Sequence, residues 1–159
     1  ATVSAANATY QDTIHLDTPS QRCIGKAAAM QMCALLGREE LANPVLKHIE
    51  IRQTNGHLPT NKTSVMLTYD HVIGELRADG APGGFSVTLF DEIPYLFPNK
   101  LIHHVVLHGN QVEIVTGYSA EQLAHAFVWH GAGPNALCNV HDAEGRALLA
   151  MGPVPVCTV

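Results

Sequence analysis

The chain reads as an α+β domain: a mostly antiparallel sheet of about seven or eight short strands packed around one long buried helix, plus a second, shorter helix. Three observations predict this. Residues 19–36 are apolar almost all round and carry start and stop signals at their two ends; most later segments alternate with period two; and short turns, with no alternating strand–helix–strand units, join them.

In chain order, residues 1–11 form a polar, loosely ordered arm, followed by a short strand at 13–16. Thr18-Pro19-Ser20-Gln21 spells a helix start, with a cap residue, proline at the first helical position and glutamine at the third, and Gly37 stops the helix. Cys23, Ile24 and the runs 27–30 and 32–36 leave this helix no wide polar face, which predicts burial from several sides. Arg22 and Lys26, one turn apart, mark its solvated edge.

A helical turn at 38–42 ends at Asn43-Pro44. Over residues 47–53, Ile49 and Ile51 alternate with His48, Glu50 and Arg52, the pattern of a half-buried strand. Residues 54–63 read as a polar loop, and 64–73 as a longer strand with Val65, Leu67, Tyr69, His71 and Ile73 on one face. A glycine-rich loop at 78–84, a strand at 85–90 and a packed loop at 91–99 follow. Residues 101–108 and 111–116 flank Gly109-Asn110, which suits a type II′ hairpin turn. Ser119 to Gln122 repeats the capping box and opens a second helix toward Trp129, closed by Gly131. A last hairpin pairs 136–141 with 146–151.

No linker or change of composition divides the 159 residues, so 1–159 is read as one domain, and 47% hydrophobic content suffices for its core. Nine basic residues against fourteen acidic, with no basic run, argue against nucleic acid as a partner. No apolar run approaches the ~20 residues that a membrane-crossing helix needs. Charged residues make up only 14%, a surface poor enough in charge to predict a homo-oligomer. Ala1 to Asn7 lack the cationic and apolar regions of a signal peptide, and Cys23, Cys33, Cys138 and Cys157 read as four buried thiols, which favours a cytoplasmic setting. Pairing of Cys138 with Cys157 and the acceptor tripeptides Asn7-Ala8-Thr9 and Asn61-Lys62-Thr63 keep secretion open.

Ten histidines outnumber Lys and Arg together, placing most charge that changes near neutral pH on imidazoles. With a two-residue turn, His108 pairs with Gln111, Val106 with Glu113, His104 with Val115 and His103 with Thr116. His103, Val105, Leu107, Val112 and Ile114 then face the core, while Glu113 lies diagonally between His104 and His108 on the polar side. Four residues of strand set His104 and His108 ~13 to 14 Å apart, too far to share a metal ion, so ligand spacing supports no metal site. A histidine held by Glu113 is the better acid–base candidate. His71, on the strand face of Tyr69, is a second one, placed at a pocket wall. Cys138 and His141 face opposite sides of a strand, and His125 and His130 fall on different stripes of the second helix.

The candidate catalytic residues are therefore His71, His104, Glu113 and Tyr69. No nucleotide-binding motif occurs, so no nucleotide cofactor is expected. The leading functional expectation is a small-molecule enzyme using histidine and carboxylate acid–base chemistry, of isomerase, lyase or hydrolase type. The alternatives are an acyl-thioester enzyme of hot-dog outline and a non-catalytic ligand-binding or assembly subunit. The first depends on imidazoles gathering around an internal hollow.

Overall fold

The computed structural model describes residues 2–12, 14–54, 62–89, 101–133 and 136–156. These form two helices and nine strands, all pairings antiparallel, so the α+β class holds. The elements are α1 (Thr18–Leu35), a 3-10 turn (Glu39–Leu41), β1 (Val45–Thr54), β2 (Lys62–Asp70), β3 (Arg77–Ala78), β4 (Phe85–Thr88), β5 (Ile102–His108), β6 (Gln111–Thr116), α2 (Ala120–Leu123), β7 (Phe127–His130), β8 (Val140–His141) and β9 (Met151–Pro155). The strands make a four-stranded sheet in the order β1-β2-β6-β5, a three-stranded sheet β4-β7-β9 and the pair β3-β8. The predicted loops around 55–60 and 91–99 and the half-cystine candidate Cys157 lie outside the described residues.

The core joins sheet to sheet. Ile49, Val65, Leu67, Tyr69, Val112 and Ile114 from the large sheet meet Phe85, Val87 and Val128 from the three-stranded one, with Leu123, Ala126, Val140, Leu148 and Val156 between them. Period-two alternation along β1, β2 and β6 supplies this face.

Helix α1 corrects the expected burial. It contributes no residue to that core cluster; only Ser20 and Ala27 are buried, and Met32, Leu35 and Leu36 are 58%, 62% and 80% exposed. Its least exposed positions, Ser20, Ile24, Ala27, Met30, Gln31 and Ala34, form a narrow mixed stripe, and the two sheet faces already cover each other. Cys23 and Cys33 are correspondingly exposed thiols, whereas Cys138 is buried as expected. The cap also lies one residue earlier than expected: Asp17 accepts from Ser20 N at 2.8 Å, and Gln21 Nε2 donates to Leu16 O at 2.7 Å. Lys26 is solvated as expected and pairs with Glu144. No described helix is long and apolar enough to cross a membrane.

The second helix is much shorter than expected. Ser119 and Gln122 form the predicted capping box, but the helix ends at Leu123 and the chain turns into β7. The β-favouring run Phe127-Val128-Trp129-His130 explains the switch, since it pairs with β4 and β9 and inserts Val128 into the core. Trp129 donates Nε1–H to Thr88 Oγ1 at 3.0 Å and lies against Gly152, where a Cβ would come within 2.5 Å of its ring.

One buried ion pair holds three segments together. Arg146 and Asp142 are 2% and 0% exposed. The guanidinium donates Nε–H and Nη2–H to Asp142 Oδ2 at 2.9 and 2.6 Å, Nη1–H to Leu41 O and Ala42 O at 2.9 and 2.6 Å, and Nη2–H to His71 O at 2.7 Å. Its five N–H donors therefore all have acceptors. Asp142 also accepts from the backbone N–H groups of Ile73, Glu144 and Arg146. Such a pair offsets its desolvation only when hydrogen bonding is complete, as here, and losing one partner strands the other charge.

His130 is the other buried polar group of note. Its Nδ1 lies 3.0 Å from Leu149 O, its ring stands 4.7 Å from that of Phe85, and Nε2 has no partner among the described residues. Burial lowers its pKa against the opposing pull of the Leu149 carbonyl.

Two expectations follow. Arg146→Ala should destabilise the fold by about 3–5 kcal/mol in urea titrations, because it leaves Asp142 buried and unpaired; a loss below about 1 kcal/mol would remove the ion pair from its structural role. The depressed His130 pKa means the unfolded chain binds a proton more readily, so stability is present above the ordinary imidazole pKa of about 6.5 and declines as pH falls below it. His130→Phe should flatten that decline in thermal melts taken from pH 7 to pH 5, and an unaltered slope would assign it to other groups.

Candidate functional site

The four candidate residues do not converge. β2 ends at Asp70, and His71 has φ 60°, the left-handed region, with its side chain exposed and its carbonyl turned to Arg146. It therefore leaves the strand face of Tyr69, correcting the expected pairing; the physical reason is capture of its backbone by the guanidinium. Tyr69 is 2% exposed with no hydrogen-bond partner for its hydroxyl among the described residues, and burial raises its pKa, so its proton is held tightly.

His104 and Glu113 share the polar face of the large sheet. The hairpin register matches the expectation at His108↔Gln111, Val106↔Glu113 and His104↔Val115. Gly109 has φ 61° and Asn110 is not in the positive-φ region, as a type II′ turn requires. The register departs at His103, which is bulged out and exposed while Ile102 takes its place opposite Thr116.

Across the sheet the polar face runs in three rows: Arg52, Ser64, Val115 and His104; Glu50, Met66, Glu113 and Val106; His48, Thr68, Gln111 and His108. Glu113 bonds in both diagonal directions. Its Oε1 accepts from Ser64 Oγ at 2.8 Å and its Oε2 lies 3.0 Å from His108 Nε2. His108, not His104, is therefore the imidazole that the carboxylate orients, because Ser64 occupies the oxygen facing the His104 row. Partial burial works to raise the Glu113 pKa, but the Ser64 hydroxyl, the His108 ring and Arg52 outweigh it and hold the carboxyl below its usual value. The carboxylate stands between hydroxyl and imidazole, so this is not a nucleophilic triad, in which the base must touch the hydroxyl.

The ten histidines as a set do not gather in one place among the described residues. His15, His48, His71, His103, His104, His108 and His125 are exposed, His141 is half-buried and His130 is buried; His57 lies outside the described residues. No group of three His, Cys, Asp or Glu side chains able to hold a metal ion occurs among the described residues.

A large concavity among the described residues lies elsewhere. A cleft of about 1360 Å³ is walled on one side by residues 2–10 and on the other by Ala136 to Asn139, with Gly83, Gly131, Gly133, Leu149 and Ala150 completing it. Asn139 fixes the far wall: Nδ2 donates to Asp79 O and Ala81 O, both at 2.9 Å, and Oδ1 accepts from Gly83 N at 2.9 Å. Gly84, beside this wall, has φ 93°, and a Cβ there would come within 2.5 Å of Cys138 Sγ, so only glycine permits the close approach. Burial pushes the Cys138 pKa up, leaving a neutral thiol at the cleft surface. Asp79 is the only formally charged side chain among the described lining residues, and no histidine is among them. Neither His108 nor Glu113 lines the cleft.

Sequence reasoning missed this site because glycines, alanines and backbone groups, rather than titratable side chains, make it. The available signal was the concentration of Gly and Ala at 131–136 and 80–84. For the sheet-face pair, Ser64→Ala should raise the Glu113 carboxyl pKa toward the ordinary range, followed by carbon NMR of the carboxylate; an unmoved titration would show that the hydroxyl contributes nothing.

No protein-family model, no curated protein and no solved structure matches the chain.

Proposed function

We propose that the chain is a non-catalytic binding protein for an extended, uncharged ligand bearing hydroxyl or amide groups. The observation that carries this reading is the composition of the cleft: small side chains, amide and hydroxyl groups and glycine backbone, with one carboxylate and no cation among its described lining residues. Uncharged polar groups fix orientation through hydrogen bonds, and the remaining apolar surface contributes by burial. At about 1360 Å³ the space exceeds the ~300–1,000 Å³ of ordinary small-molecule pockets, which favours an oligomer over a single small metabolite. Tyr10, 62% exposed at the cleft, adds a flat ring with a polar tip.

A second reading, the acid–base enzyme of isomerase, lyase or hydrolase type, is favoured by the Ser64–Glu113–His108 chain, in which a carboxylate orients a half-exposed imidazole. In this reading His108 takes the place of His71 and His104 as base. The acyl-thioester alternative draws little support, since carriers of the coenzyme A type bring phosphates and α1 is not wrapped by the sheet. Self-association is supported by the exposed Met32, Leu35 and Leu36, and a cytoplasmic setting by the free thiols of Cys23, Cys33 and Cys138.

Amide NMR titration separates the readings. A neutral N-acetylglucosamine hexamer or a serine- and glycine-rich neutral peptide should give saturable shifts in residues 2–10 and 136–139, and coenzyme A should not. Shifts centred on His108 and Glu113 would favour the enzyme reading, and no saturable shift with either neutral probe would remove the binding reading.

A further inference from the structure

Residues 2–10, the near wall of the cleft, are attached to the body in an unusual way. They belong to no sheet; an isolated bridge, Tyr10↔Leu16, is their ladder contact. Two side-chain anchors hold the ends. At one, buried Asn43 donates Nδ2–H to Thr2 O while its backbone N–H donates to Gln31 Oε1 at 2.9 Å. At the other, buried Ser20 Oγ accepts from Thr9 N at 2.8 Å, and Thr9 Oγ1 donates to Asp17 Oδ2.

Between the anchors, the described hydrogen bonds of Ser4 to Ala8 are internal: Ala6 N to Ser4 Oγ at 3.1 Å and Ala8 N to Ala5 O at 3.0 Å. Beside the first anchor, Thr2 and Val3 line an open hollow of about 140 Å³ with Ala28, Gln31, Met32 and Leu35 of α1. A wall held by two hydrogen-bonded points, with few buried apolar contacts, belongs to the part of a structure that opens at least cost.

We propose that residues 2–10 are a strap that opens and closes over the cleft, with Asn43 as its latch and Ser20 as its hinge. The strap regulates access to the site and rests on the reading that the cleft takes a ligand. Opening releases the Thr2 carbonyl from Asn43 and swings the six-residue span 3–8 away from the far wall, where Cys138 lies 7% exposed. Closing presents the backbone groups of Ser4 to Ala8 to whatever lies in the cleft, so the strap contributes contacts as well as cover.

Cys138 reports the motion without a ligand. In a Cys23→Ser, Cys33→Ser, Cys157→Ser background, N-ethylmaleimide should label Cys138 slowly. Asn43→Ala should raise that rate about fivefold, the ratio expected for one net hydrogen bond, and a chain lacking residues 1–8 should raise it further. If Asn43→Ala does not fold, Ser20→Ala at the hinge carries the same expectation. The strap is overturned if removing residues 1–8 leaves the rate unchanged, or if labelling in every variant follows the global unfolding constant from urea titration. Labelling needs no ligand, so an empty ligand screen overturns the binding reading and leaves this result standing.

Discussion

The guanidinium of Arg146 is the point on which three otherwise separate stretches of chain depend. It bonds the Leu41 and Ala42 carbonyls at the end of the 3-10 turn, the carbonyl of His71 where β2 gives out, and the carboxylate of Asp142 four residues earlier in its own turn. The three carbonyls lie where regular structure ends and would otherwise lack partners, a cost of about 1–3 kcal/mol apiece. A planar cation with five donors answers them together, which a lysine could not do.

The cleft inherits its shape from this arrangement. Asn43, which holds Thr2, directly follows Ala42, whose carbonyl Arg146 fixes; Leu149 and Ala150 follow the same arginine into the cleft. The far wall is set separately, by Asn139 bonding three backbone groups of the 79–83 loop. A wall fixed by three hydrogen bonds therefore faces one held by two points, the asymmetry on which the proposed strap rests.

Much of the fold was legible because periodicity and turn chemistry are local. Alternation of Ile49 and Ile51 with charged neighbours, and Gly109 at a position needing positive φ, determined three strands of the large sheet and the face that Glu113 occupies. What was not legible depends on distant partners. An all-round apolar helix implies burial only if something is free to cover it, and here the sheets cover each other, leaving Leu36 exposed. The capping box at Ser119 announces a helix start but says nothing of its length, which β7 cut short by pairing on both sides. His71 left its strand for a carbonyl contact with a residue 75 positions away. The expected last hairpin turns at residues 142–145, but its halves meet at the isolated bridge His141↔Ala147 while β8 pairs with β3 and β9 with β7, and nothing local shows that Arg146 would be buried. The site divides the same way: the hairpin placed Glu113 between two imidazoles, while the choice of His108 rested on Ser64, from another strand.

The most direct measurement is of the arginine itself, by proton–nitrogen NMR of its side chain. Five bonded donors should appear as separate, slowly exchanging guanidinium proton signals for Arg146, with Nε–H and both Nη groups resolved near neutral pH. A single averaged Nη signal exchanging as fast as that of the exposed Arg38 would contradict the central claim, because a freely rotating guanidinium cannot hold the three segments in place.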